Sequence, residues 1–278
     1  MKKSYILLIL STLIVLLFVS CKQKTIKTIE KKATNRYFLA ADTTKGVLNV
    51  DISIEIPVCF DNETILDSVR SEIIRNLFGN SYVELDNKLI VEKFSLDLSK
   101  EYRQSNSSIL DQMDSTTLYS FNNEHILEGF SLLNDKNIYS YGISRYVFMG
   151  GAHGLSTLTY LNFDLKTGKR ITEEDLFTTG FVPKLTEILK SRIIEQSIED
   201  KDIEPISILE DTDYWVDAIK PNGNFYITDE SINYVFNPYE IAPYYMGQTE
   251  VVIPFIRLSG MFKPTSVISQ IINNDAIL

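Results

Sequence analysis

The sequence predicts an α+β protein, with mixed or antiparallel sheets packed against amphipathic helices in two intimate subdomains. Three observations carry this. Val50, Ile52, Ile54, Ile56 and Val58 alternate with Asp51, Ser53, Glu55 and Pro57, so all five apolar residues share one face of a strand. Directly afterwards the period changes. Ile65, Val69, Ile73 and Leu77 fall four apart, as on one face of a helix. Further on, strand and helix patterns mix without regular β-α alternation and without an internal repeat, which argues against a doubly wound sheet.

The elements follow in order. Lys2 and Lys3 precede an apolar run from Tyr5 to Val19, then Ser20 and Cys21, the pattern of a secretory signal peptide over residues 1–20. The run is shorter than the roughly 20 residues needed to span a bilayer. Phe18-Val19-Ser20-Cys21 resembles a bacterial lipobox, with the tolerance of Bacteroidetes-type signals, which implies lipid on Cys21. That implies a membrane-anchored, cell-envelope protein, with the anchor in the outer membrane and the chain facing the periplasm. Lys22 to Arg36 is Lys/Thr-rich and has no apolar period, so residues 21–36 read as anchor and tether. An N-terminal subdomain is expected over 37–112. It holds the strand above, ended near Pro57, then a helix over Asn62 to Phe78 stopped at Gly79. A second helical pattern follows at Ile90, Phe94, Leu98 and Tyr102. The Ser/Asn/Asp-rich stretch from Gln104 to Asp114 reads as the boundary loop.

A second subdomain is expected over 113–278. Tyr139, Tyr141, Ile143 and Val147 share one parity. Leu158 to Leu165 alternates again and runs into a hairpin turn at Asp164–Lys169, where Gly168 is free to take a positive φ. Thr172 followed by Glu173, Glu174 and Asp175 reads as a helix start. Phe181 to Ile198 is a long amphipathic helix. After an acidic loop come short strands near Asn224–Thr228, Asn233–Phe236 and Thr249–Pro254.

Composition bounds the function. Hydrophobic residues are 44% and charged residues 23% of 278, ordinary for a globular chain. The net charge is -10, and loss of Lys2 and Lys3 leaves -12. That excludes a nucleic-acid binder, which needs basic surface, and suits a basic partner. With Cys21 lipidated, Cys59 has no disulfide partner and reads as a small buried residue at a strand end. The two histidines and two cysteines make no zinc pattern, and no cofactor or metal is expected. His125 reads as surface.

Three segments stand out as an ordered set: Gly150-Gly151-Ala152-His153-Gly154; Asn162 through Lys169 to Asp175-Leu176-Phe177; and Asn237-Pro238-Tyr239 through Tyr244 and Gly247 to Val252. This set resembles the RsiV-type extracellular domain family, and the N-terminal half is similar to the small domain preceding it in RsiV and PdaC-type proteins. The resemblance spans Tyr37 to Phe262. It implies a two-part module, and lysozyme binding is what that family region does in RsiV. The segment before the apolar run, Met1 to Ser4, is too short to hold a sigma factor, and no PdaC-type Asp/His metal motif follows.

The expected function is therefore non-catalytic partner binding, most concretely to a lysozyme-like cationic glycan hydrolase, with peptidoglycan or polysaccharide binding as the alternative. His153 sits among glycines where backbone can approach a ligand, but no acid or nucleophile partners it by spacing, so the better reading is a structural turn. Asp211 and Asp213 flank Trp215, the single tryptophan, in a solvated acidic loop suited to docking a basic protein. The spacing lacks the central glycine of a calcium loop. Tyr239, Tyr244 and Tyr245 are braced by Pro238 and Pro243. They read as a packed turn, or as a binding surface with little entropy to lose.

Overall fold

The computed structural model describes residues 25–41, 43, 46–110, 121–200 and 204–275. The signal peptide and Cys21 lie outside the described residues. Among the described residues, nine strands and five α-helices build two sheets on two apolar cores.

The first sheet has the order β1-β2-β3-β4-β5-β6. Its strands are β1 (Lys27–Phe38), β2 (Val47–Cys59), β3 (Asn123–Asp135), β4 (Ile138–Phe148), β5 (Leu155–Asp164) and β6 (Lys169–Arg170). Neighbours are antiparallel except β2 and β3, which run parallel. A parallel pair needs a long crossover. Here α1 (Glu63–Phe78) and α2 (Ile90–Leu110) supply it. The Asn62 side chain accepts from the Thr64 and Ile65 amides and starts α1. Ile52, Ile54 and Ile56 of β2, fully buried, pack in one core with Val69, Ile73 and Ile74 of α1.

The second sheet is β7 (Phe225–Ile227), β8 (Ser231–Phe236) and β9 (Thr249–Pro254), all antiparallel. Its core includes Leu185, Leu189 and Ile193 of α4 (Val182–Glu199) and Ile268 and Ile271 of α5 (Val267–Asp275). In the chain, between β6 and α4, lies the one-turn α3 (Glu173–Leu176), begun by the expected cap. Asp175 accepts from the backbone N–H and hydroxyl of Thr172, each at 2.9 Å.

The α+β class and both sheet types are as expected, and several details differ. Lys27–Arg36, read as tether, is strand. Its inward positions are Lys31, Ala33, Asn35 and Tyr37. Ala33 and Tyr37 pack on the first core, while Asn35 and the Tyr37 hydroxyl meet Ser95 of α2 at 3.0 and 2.9 Å, so polar residues interrupt the alternation. α2 continues to Leu110 through the expected loop. The division expected at residue 112 does not separate the layers. The first sheet joins β2 to β3 across it, and the first core runs from Ile26 to Leu165. Cys59 is exposed rather than buried. The hairpin turn holds, with Gly168 at φ +72°. A Cβ there would sit 3.2 Å from the Ile65 backbone, so the turn seats on α1.

Strand edges are managed differently in the two sheets. On β9, Arg192 Nε donates to the Val252 carbonyl at 2.9 Å, and the Val252 amide donates to Gln196 at 2.8 Å. Helix α4 thus covers that edge. β1 pairs only with β2 and presents Lys27, Glu30, Lys32 and Arg36 as exposed residues.

Candidate functional site

The sheets are joined by asparagine side chains. Asn162, 2% exposed, accepts from the Ser140 hydroxyl (2.7 Å) and the Ile227 amide (3.1 Å) and donates to the Phe225 carbonyl (2.7 Å). Asn224 accepts from the Tyr160 amide (2.9 Å) and donates to the Leu158 carbonyl (3.0 Å). Asn237 accepts from the Leu158 amide (2.7 Å) and donates to the same carbonyl (3.0 Å). These amides do for β5 what a further strand would do, satisfying backbone groups that burial would otherwise strand. Asn162 and Asn237 lie in the sequence segments singled out above. Their role is to hold the two layers in register.

At the Leu155 end of β5 this seam assembles a surface from three distant loops. The first is the β4–β5 turn. His153 stacks on Tyr244 with ring centroids 3.9 Å apart and planes 20° from parallel. His153 Nδ1 donates to the Gly154 carbonyl at 3.0 Å, and the Tyr244 hydroxyl donates to the same oxygen at 2.7 Å. Gly154 lets the turn pack closely: a Cβ there would meet the Tyr146 ring at 2.4 Å and push it aside. The second loop is the proline-braced one. The Glu240 amide donates to the Asn237 carbonyl at 3.0 Å, closing a turn with Pro238 second and Tyr239 third. Tyr239 takes φ +70°, the position a type II turn reserves for glycine. A bulky residue held there stores backbone strain. Tyr239 and Tyr244 rings lie 5.6 Å apart. The third is the acidic loop. The Trp215 amide donates to the Ile241 carbonyl at 2.7 Å, and the Tyr245 hydroxyl donates to the Asp213 carboxylate. That bond raises the Tyr245 pKa above its ordinary value.

The result is an exposed group of rings beside a carboxylate. Trp215 is 45%, Tyr239 52% and Tyr245 71% exposed. Asp213 is in the group. Asp211 is exposed on the short turn Leu209–Asp211, with no side-chain bond to the rings. His153, itself exposed, stacks on the half-buried Tyr244, which touches the Tyr239 ring. Among the described residues, no three His, Cys, Asp or Glu side chains gather as a metal cage.

His125 is not a surface residue. It sits on β3 with its ring edge-on to Phe94, its Nδ1 is buried, and burial pushes its pKa down to about 4, with Arg145 adding to the effect. Sequence reasoning missed it because the neighbours that bury it come from α2 and β4.

Two family profiles match. "Deacetylase PdaC" covers residues 43–156, and "Protein of unknown function (DUF3298)" covers residues 174–255. The anti-sigma-V factor RsiV of Bacillus subtilis is 30% identical over 193 residues, 66% of this chain and 62% of RsiV. Immunogenic protein MPT64 of Mycobacterium tuberculosis is 26% identical over 118 residues, 42% of this chain and 48% of its own length. The chain thus spans less than two thirds of either relative. Among solved structures, a DUF3298 member from Bacteroides fragilis superposes with a TM-score of 0.79 at 26% identity, covering 88% of this chain and 97% of its own. One from Pseudomonas aeruginosa shares the fold, at TM-score 0.54 and 19% identity, covering 86% and 95%.

Proposed function

Because the chain is an RsiV-like two-domain protein, we propose that it is a non-catalytic envelope protein that binds a protein partner through the Trp215–Tyr239–Tyr245 platform. The partner in this reading is a lysozyme-like cationic glycan hydrolase, and the role is to sense or inhibit it. The likeness to RsiV supports an extracellular or envelope location, and no described helix is long and apolar enough to cross a membrane. Lipid on Cys21 would tether the chain there.

One observation carries the reading. Three loops far apart in sequence are tied together and leave Trp215, Tyr239 and Tyr245 exposed, with Tyr245 bonded to the Asp213 carboxylate. Large rigid rings lose little entropy on binding and anchor interfaces well. The acidic balance of the chain steers a cationic protein toward them. Calorimetric titration with a c-type lysozyme at low and high salt tests this. Binding that weakens with salt is expected, and no heat at either salt would end the lysozyme reading. The same exposed rings favour glycan stacking as the second reading. In that case the protein would co-sediment with purified peptidoglycan sacculi, and added salt would not release it.

A further inference from the structure

The first sheet has a direction. Phe38, Val47, Asn123, Phe148 and Leu155 lie at one end, with the platform. Lys27, Cys59, Asp135, Ile138 and Asp164 lie at the other. The ten residues of β5 separate the ends by about 30 Å.

At the Asp164 end is a cavity of about 410 Å³ lined by Lys169, Arg170 and Lys263, with Thr265 and Ser266 beside them. Among the described residues none of the three cations is in an ion pair, although the chain carries 37 acidic residues against 27 basic ones. Arg170 donates to the Tyr160 carbonyl at 3.3 Å and Lys263 to the Glu174 carbonyl, both neutral acceptors. The two carboxylates in the lining are engaged locally. Asp164 accepts from the Lys166 amide (2.8 Å) and the Thr167 hydroxyl (3.1 Å), and Asp175 caps α3. Three cations outside any ion pair line this polar cavity with hydroxyl donors and outnumber its two carboxylates, which matches the chemistry of an oxyanion.

The chain enters the fold at this same end. Asn134 accepts from the Ile26 amide (3.0 Å) and donates to its carbonyl (2.7 Å), fixing the backbone just before β1. Cys21 is five residues earlier, a reach of at most about 18 Å. We propose that the Lys169–Arg170–Lys263 cavity binds a phosphate group, presented by the headgroups of the membrane to which the chain is tethered. The membrane source rests on the Cys21 anchor proposed above, whereas the phosphate chemistry does not. The orientation holds the platform away from the bilayer, where a partner can reach it.

The test is lysine acylation of the full chain, read by mass spectrometry at Lys169, with Lys184 and Lys220 as references. Three conditions are compared: neutral detergent, the same with inorganic phosphate, and reconstitution into phosphatidylcholine vesicles containing phosphatidylglycerol. Several-fold slower acylation of Lys169 is expected both with phosphate and in the vesicles, with the references unchanged. Arg170→Gln should weaken the protection and Arg170→Lys restore part of it. Protection by phosphate without protection in vesicles would overturn the membrane source and assign a soluble phosphate ligand. No protection in either would overturn the site, whatever the lysozyme titration gives.

Discussion

Replacing His125 with Phe should flatten the acid side of the stability profile. The His125 ring is packed against Phe94, and burial holds its pKa at about 4 against an ordinary 6.5. Between those values the unfolded chain takes up a proton that the folded chain refuses. The stability contribution is therefore full above about pH 6.5 and is lost as pH falls toward about 4, with no further loss below. At about 1.4 kcal/mol per pKa unit the separation sets a ceiling near 3 kcal/mol, and screening of a ring that is not fully enclosed brings it to about 1–2 kcal/mol. Urea unfolding of wild type and His125→Phe at about pH 7.5 and about pH 4.5 isolates the effect, because the carboxylates that also titrate are common to both proteins. The gap between the two free energies should shift by about 1–2 kcal/mol in favour of the variant at the lower pH. Parallel pH profiles would refute the argument and mean that the imidazole titrates as if exposed.

Three further outcomes follow from the geometry. Asn162→Ala leaves the Ile227 amide and Phe225 carbonyl buried without their partner, and urea unfolding should show a loss of about 2–4 kcal/mol. Tyr239→Gly removes the strain at φ +70°, so thermal melting should hold or rise by up to about 1 kcal/mol while lysozyme affinity falls; a destabilised Tyr239→Gly would contradict the strain. Gly154→Ala forces a methyl into the Tyr146 ring, and circular dichroism in the aromatic region should report a changed His153–Tyr244 stack. In the platform reading, Gly154→Ala also lowers partner affinity with little change in the global melt.

Much of the fold was legible because burial on one face leaves a period. Val50 to Val58 and Ile65 to Leu77 advertise their elements by spacing alone. β1 did not, because its inward positions mix Ala33 and Tyr37, which pack on the core, with Lys31 and Asn35, the latter bonded to Ser95 sixty residues away. An apolar alternation interrupted by polar inward residues does not register as a strand in sequence. Cys59 misled for a related reason: it ends an apolar run, but it lies out of phase with Val50, Ile52, Ile54 and Ile56 at the strand end, where its side chain is exposed. In the candidate site, residue type pointed to Trp215, Asp213 and the tyrosines, and to the structural reading of His153. What spacing could not reveal was their meeting, since the Asp213–Tyr245 contact spans 32 residues and the Gly154–Tyr244 contact 90. The asparagine seam was present in the motifs but silent, because an amide that mimics a strand looks like any other polar residue in sequence.

The unequal finishing of the strand edges sets a limit on how this protein can self-associate. The outward backbone of β5 is taken by Asn224 and Asn237, and that of β9 by Arg192 and Gln196. Among the described strands of five residues or more, β1 alone keeps a free side. Two molecules joined there would each use up that side. Strand addition through the described edges is thus self-terminating at a pair and does not propagate into a fibre.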